Sequence, residues 1–242
     1  MNIVAPVHAS PDRDGVAPPL PRLRRLGALD EGALSLLLGA MGSPRQHGVR
    51  TAIGTESAAA GVPPRLLLAG WAARTRILAD GRRQILELLL PGDLIAPTAS
   101  NPALTGEAVV ALTPATSCTL DPAIWAQPVF DTLRLRGAAL TLLHLHNQIT
   151  RLGRQSAYER LAHLLLELRE RLAHAGFDVC QGFAMPLTQE VLGDVLGLTT
   201  VHLNRTMQQL RRDGLVHTTP NGVALPDREA LAAVADYSPP RL

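Results

Sequence analysis

Aromatic residues make up only 3% of this 242-residue chain, and lysine is absent, so all 23 basic side chains are arginine. With so few rings, the hydrophobic core has to be built from Leu, Ala and Val. Stacking of single-stranded bases on an aromatic platform is excluded as a main binding mode. There are two cysteines, Cys118 and Cys180, far apart and outside any CxxC or zinc spacing. An iron–sulfur cluster needs about four thiolates, so none is expected, and the two cysteines read as ordinary reduced thiols. Twenty-three basic against 21 acidic residues leave a net charge of only +2, so any positive field must be local. No apolar run approaches the ~20 residues of a membrane span, and the N-terminus lacks a basic-then-apolar leader. A cytoplasmic protein with no membrane partner is expected. GxSxG, the phosphate-loop GxxxxGK[ST] and HExxH are all missing, so the chain does not read as an enzyme. Eight histidines are present. His144 and His146, two apart on a helix, cannot share a face, and no metal or cofactor is expected.

What is present centres on Leu187–Val216, LTQEVLGDVLGLTTVHLNRTMQQLRRDGLV. Thr188 suits a helix N-cap, and Glu190 sits near the positive end of the helix dipole. Val191, Leu192, Val195 and Leu196 recur at three- and four-residue spacing, the mark of one buried stripe. Gly197 follows where a left-handed C-cap needs glycine. Thr199 and Thr200 can cap a second helix with Val201, Leu203, Met207 and Leu210 as its apolar side. His202, Asn204, Arg205, Gln208, Gln209, Arg211 and Arg212 are left for the other face and flanks, and all donate hydrogen bonds. Two helices around a glycine also form ordinary helical hairpins. A face so rich in donors instead fits a recognition helix in a DNA major groove.

The following residues strengthen that reading. Leu215–Thr219 and Val223–Leu225 are short extended runs around Pro220-Asn221-Gly222, a strong turn signal. Asp227 can cap a last helix containing Leu231, Ala232, Val234 and Ala235. Helix, turn, helix and hairpin in that order describe a winged helix-turn-helix. Residues Gly193-Asp-Val-Leu-Gly-Leu-Thr-Thr-Val-His-Leu-Asn-Arg-Thr-Met-Gln-Gln-Leu-Arg resemble the DNA-binding signature of Crp/Fnr-type transcription regulators. The Val-His-Leu-Asn-Arg form is typical of one bacterial branch.

The N-terminal half carries a second resemblance. Residues 1–20 are Pro-rich and read as a disordered tail. Leu29–Met41 reads as a helix capped by Asp30, with Leu34, Leu37 and Leu38 buried, whereas 43–64 has only weak strand signals. Arg65–Ala79 and Arg82–Leu90 are apolar-rich runs split by Asp80-Gly81, a hairpin dipeptide. Arg74 and Arg76 are placed on one face, alternating with Thr75 and Ile77. Runs at Ala108–Leu112 and Ser117–Leu120 add short strands, and such punctuation indicates a barrel or jelly roll. Gly70-Trp-Ala-Ala-Arg-Thr-Arg-Ile-Leu-Ala-Asp-Gly-Arg-Arg-Gln-Ile, closing on Leu90-Pro-Gly-Asp-Leu, resembles the sensory β-roll of the same regulators.

After a short helix at Pro122–Gln127, nothing interrupts Val129 to about Gln155, a helix near 26 residues and ~39 Å long. The resemblance implies that this helix pairs with its twin in a homodimer. Leu133, Leu140, Leu143, His144 and Asn147 lie near one stripe and form the expected seam, Asn147 helping to set register. Ser156–Ala175 is a further helix with a capping box at Ser156 and Glu159. The expected fold is α+β. A tail (1–20) precedes an antiparallel, jelly-roll-like β-roll sensor of the cyclic-nucleotide-binding type (21–127), a dimerisation helix (128–154) and a winged helix-turn-helix (155–236).

For DNA contact, Arg205 matches the family arginine that reads a G·C pair. A guanidinium can grip guanine O6 and N7 together, worth ~1–3 kcal/mol of discrimination. Where the family often carries a glutamate for cytosine stands Val201, which can instead touch a thymine methyl. His202 and Asn204 are expected at base edges or phosphates, and Thr188, Gln189, Thr199 and Thr200 at phosphates. Cyclic-nucleotide binders of the family hold the phosphate with Gly-Glu followed by Arg-Ser or Arg-Thr. This chain has Gly106-Glu107 but no arginine from Ile95 to Gln127, so no response to cyclic AMP is expected. The expected partners are double-stranded DNA, a second copy and, for an activator, RNA polymerase; the effector is unknown. The alternative is a member whose β-roll takes another small ligand or a protein and whose operator binding is weak or lost.

Overall fold

A computed structural model describes residues 19–54, 63–95, 107–219 and 222–240. Residues 1–18 of the expected tail, Gly106 and the expected Pro220-Asn221 turn lie outside these residues, whereas Leu20 already belongs to a helix. Described residues up to 144 form one compact body and those from 145 onward a second.

The first body begins with a helix not expected from the sequence, α1 (Leu20–Gly27), which buries Leu23 and Leu26. Arg22 is also buried and forms an ion pair with Asp93 of the Pro91-Gly92-Asp93 turn. Helix α2 (Glu31–Ala40) starts at Asp30, whose carboxylate accepts from the Ala33 N–H at 2.7 Å. It buries Ala33, Leu34, Leu37 and Ala40. Leu38, expected inside, is exposed, because it lies about 100° round the helix from Leu37.

Among the described residues eight strands follow: β1 (Arg45–His47), β2 (Ala52–Ile53), β3 (Arg65–Ala69), β4 (Ala72–Ile77), β5 (Arg83–Leu89), β6 (Leu94–Ile95), β7 (Glu107–Ala111) and β8 (Ala115–Thr119). They form two four-stranded antiparallel sheets, ordered β1-β8-β3-β6 and β2-β7-β4-β5. The expected β-roll is therefore present.

The run Arg65–Ala79 is not one strand, however. Gly70 takes a φ of 78° and its backbone passes so close to strand β8 that a Cβ there would lie 2.2 Å from the Pro114 carbonyl. The chain thus leaves one sheet at Ala69 and enters the other at Ala72. Across the β4–β5 hairpin the register slips between Arg74 and Thr75. That irregularity defeats the simple alternation expected for Arg74 and Arg76. Arg74 is buried against Glu87, with Nε 3.4 Å from the carboxylate, and Thr75 is buried beside it, while Arg76 is exposed. Cys118 is buried in the core, where desolvation pushes its thiol pKa up, and Cys180 is exposed; both are free thiols.

A short helix α3 (Pro122–Trp125) and a 3₁₀ turn (Pro128–Phe130) lead into helix α4 (Asp131–Arg154). The residues expected at the seam are engaged within the chain. Leu133 is 0% exposed and belongs with Leu140 to the core cluster of Leu23, Leu37, Leu66, Leu120 and Phe130. Leu143 packs partly buried on that cluster, and His144 is buried. Asn147 donates to Glu167 at 3.0 Å within the second body. The opposite stripe is bare: Leu135, Leu142 and Ile149 are 71%, 53% and 67% exposed. Among the described residues no helix is long and apolar enough to cross a membrane.

The second body consists of the C-terminal turns of α4, helix α5 (Ala157–His174), strand β9 (Phe183–Ala184), helices α6 (Gln189–Leu196) and α7 (Thr200–Arg212), strands β10 (His217–Thr219) and β11 (Gly222–Ala224), and helix α8 (Arg228–Ala235). Ser156 and Glu159 form the expected capping box of α5, and every residue from Leu161 to Leu168 is buried.

Candidate nucleic-acid interface

Each of the two helices in the helix-turn-helix begins on a threonine. Thr188 Oγ1 accepts from the Val191 N–H at 3.2 Å, and Thr199 Oγ1 accepts from the His202 N–H at 3.3 Å. Capping uses an oxygen lone pair, so each hydroxyl hydrogen remains available to donate outward. Between them Gly197 closes α6 in the left-handed conformation, φ 64°, with its N–H bonded to the Gly193 carbonyl.

The two helices lock through Val191, Leu192, Val195 and Leu196 on α6 and Leu203, Thr206, Met207 and Leu210 on α7, all buried. Val201 is not part of that apolar side, being 71% exposed. It sits two residues, or about 200°, from Leu203, and the inward place is taken by Thr206, whose hydroxyl donates to the His202 carbonyl at 2.9 Å. On the outer face Val201, Arg205, Gln208 and Arg212 form one exposed stripe, with His202 and Gln209 beside it. Asn204 is half-buried and donates from Nδ2 to Gln189 Oε1 at 2.9 Å. Gln189 and Asn204 therefore brace α6 against α7, each keeping part of its polar group for other contacts. Thr200 is exposed in the first turn of α7.

Several supporting contacts have no signal in the sequence pattern. The Tyr158 hydroxyl at the start of α5 donates to Asp213 Oδ2 at 2.6 Å, fixing the far end of α7. Burial and then the Asp213 carboxylate push this phenol's pKa up to about 12, so it stays a donor. Beyond α7, a three-stranded sheet ordered β10-β11-β9 makes the wing. Its third strand, Phe183–Ala184, pairs with Gly222 and Val223. A two-residue strand is too short to show alternation, which hid it. His217 and Thr218 are exposed on β10.

Behind the interface lies a buried polar cluster. Glu167 accepts from Arg151 Nη1 at 2.9 Å and from Asn147 at 3.0 Å, with Arg171 3.7 Å away. Arg151 also reaches His163 Nδ1 at 3.0 Å, and the His163 ring meets Tyr237 edge-on at 5.0 Å between centroids. Burial, then the Arg151 charge, depress the His163 pKa to about 4. The imidazole is thus neutral and accepts at Nδ1. Among the described residues no group of three or more His, Cys, Asp and Glu could hold a metal.

Comparison with known proteins agrees with this geometry. The Crp-like helix-turn-helix domain matches residues 159–234. The transcriptional activatory protein AadR of Rhodopseudomonas palustris is 30% identical over 175 residues, covering 70% of this chain and 72% of that protein. The nitrogen fixation regulation protein FixK of Bradyrhizobium diazoefficiens is 30% identical over 166 residues, covering 66% and 68%. The solved structure of FixK2 from Bradyrhizobium japonicum has the same fold, with a TM-score of 0.65 at 24% identity over 81% of this chain and 98% of that one.

The low pKa of His163 makes the stability of the second body depend on pH. Its folded value lies below the unfolded 6.5, so on lowering the pH the unfolded chain takes up the proton first. The stability attributable to neutral His163 is complete above about pH 6.5 and drains away toward pH 4. Thermal melts of wild type and His163→Phe between pH 7 and 4 should show the steeper acid loss in wild type; parallel curves would contradict this assignment.

Proposed function

The chain belongs to the Crp/Fnr family of transcription regulators, and from that premise we propose that it binds a near-palindromic operator as a homodimer and does not respond to cyclic AMP. The carrying observation is the two-sided helix α7. Leu203, Met207 and Leu210 hold it rigidly from behind, and Val201, Arg205 and Gln208 stand free in front. Such a helix fits the major groove, with Arg205 gripping guanine and Val201 against a neighbouring thymine methyl. The hydroxyls of Thr188 and Thr199, with Thr200, serve phosphate oxygens, which orient the protein without reading sequence. His202 flanks the reading stripe, and Gln189 with Asn204 holds its angle. For an activator, RNA polymerase is the further partner.

The dimer seam is placed on Leu135, Leu142 and Ile149. They recur at seven-residue spacing, the repeat that keeps one helix face against a partner, and large apolar side chains left in water mark an interaction surface. Asn147 and its neighbours on the inward stripe are left to the fold. In the β-roll, Arg74 is already neutralised by buried Glu87, and the strands from Glu107 to Thr119 bring no arginine to hold a cyclic phosphate.

Selection of operators from random duplex DNA should return a two-fold motif with half-site centres about one helical turn, ~34 Å, apart. In Arg205→Ala the preference should relax at one base pair per half-site, by ~1–3 kcal/mol, with an unchanged motif counting against base reading by Arg205. Sedimentation should show Leu142→Glu as a folded monomer. Leu133→Ala should instead remain dimeric while losing about 2–5 kcal/mol of stability to denaturant. A thermal-shift titration with cyclic AMP should be flat, and a clear rise would remove the pocket argument.

A further inference from the structure

We infer that Gln148 is a positioning residue for operator reading: it fastens the helix-turn-helix to the turn of α4 that carries Ile149, and so sets the separation of the two recognition helices. This rests on the dimeric reading above. Gln148 is buried, and its Nε2 donates to the Val195 carbonyl at 2.5 Å. Val195 lies in the last turn of α6, where carbonyls have no intrahelical donor and accept from outside.

The amide cannot turn over. Arg151 Nε donates to Gln148 Oε1 at 3.0 Å, and a guanidinium has only donors to offer, so the amide oxygen must face it and the NH₂ must face Val195. Arg151 is itself held by Glu167 and His163. The result is one continuous chain, Glu167 to Arg151 to Gln148 to Val195, running from the interior of α5 to the end of α6.

A second tie acts on the same joint. The Arg160 guanidinium donates to the Leu196 carbonyl at 3.1 Å, the Leu152 carbonyl at 3.3 Å and the Gln155 carbonyl at 2.8 Å. The end of α6 and the last turns of α4 are therefore bound at two points. Ile149 is the next residue after Gln148, about 100° round the helix. Ile149 and the turn that carries the recognition helix thus belong to the same body.

A residue that only stabilises the fold would weaken every duplex alike. A residue that sets spacing changes how binding depends on the distance between half-sites. The test uses full-length protein on the selected operator, on the same operator with one base pair inserted at its centre, and on a single half-site. One inserted pair shifts a half-site by ~3.4 Å and ~35°, which should weaken wild-type binding roughly tenfold. Gln148→Glu keeps an acceptor for Arg151 and replaces the donor to Val195 with a carboxylate oxygen that repels that carbonyl. Its insertion penalty should fall to about threefold with half-site affinity unchanged. If that variant does not fold, Gln148→Met, of similar volume, gives the same reading. An unchanged penalty, or an equal loss on the single half-site, overturns the assignment. A wild type that selects no paired motif overturns the dimeric reading itself and this inference with it.

Discussion

A straight helix turns about 100° per residue, so a side chain that enters one neighbour is lost to any other. In Asp131–Arg154 this limit divides the residues three ways. Leu133 and Leu140 fill the core of the β-roll body, where residues from α1, α2 and β3 close over them. Asn147, Gln148 and Arg151 are taken up by the C-terminal body through hydrogen bonds to Glu167 and Val195. Of the helix's large apolar side chains, only Leu135, Leu142 and Ile149 are left exposed. The dimeric reading depends on that division, because the stripe proposed to pair is the one that the fold does not use.

Buried charge is the second constraint. A carboxylate taken out of water costs several kcal/mol unless it is paired and hydrogen-bonded. Glu167 is met by Arg151, Arg171 and Asn147, and Arg74 with Glu87 and Arg22 with Asp93 repeat the solution in the first body. Such groups give little net stability but admit few arrangements, so they specify orientation. Arginine suits this work, since its planar fork can serve several acceptors at once. Arg160 does so on three carbonyls.

The recognition helix shows the same economy. Its inner residues are apolar except Thr206, which returns its proton to the backbone of its own helix. Its outer residues Val201, Arg205, Gln208 and Arg212 are exposed, and Gln189 with Asn204 fixes the angle between the helices. Preorganisation of this kind places the entropic cost of ordering in folding rather than in binding.

Local patterns were enough to establish the helix-turn-helix, its threonine caps, the Gly197 turn, the capping box of α5 and the presence of several short strands in the N-terminal half. Each is a matter of backbone geometry within a few residues, which side-chain chemistry at fixed offsets decides. The family resemblance was legible for the same reason. Long-range choices were not. A helix with leucines at 133, 135, 140, 142 and 143 offers more than one apolar stripe, and periodicity cannot say which faces the interior; packing against α1, α2 and the sheets decided it. The split of Arg65–Ala79 between two sheets came from the close pass of Gly70 by Pro114. Strand Phe183–Ala184 exists only because Gly222 and Val223 lie beside it. The joint at Gln148, Arg151 and Glu167 unites residues up to 47 positions apart, and only the assembled tertiary structure brings their charges and hydrogen-bond donors within reach of each other.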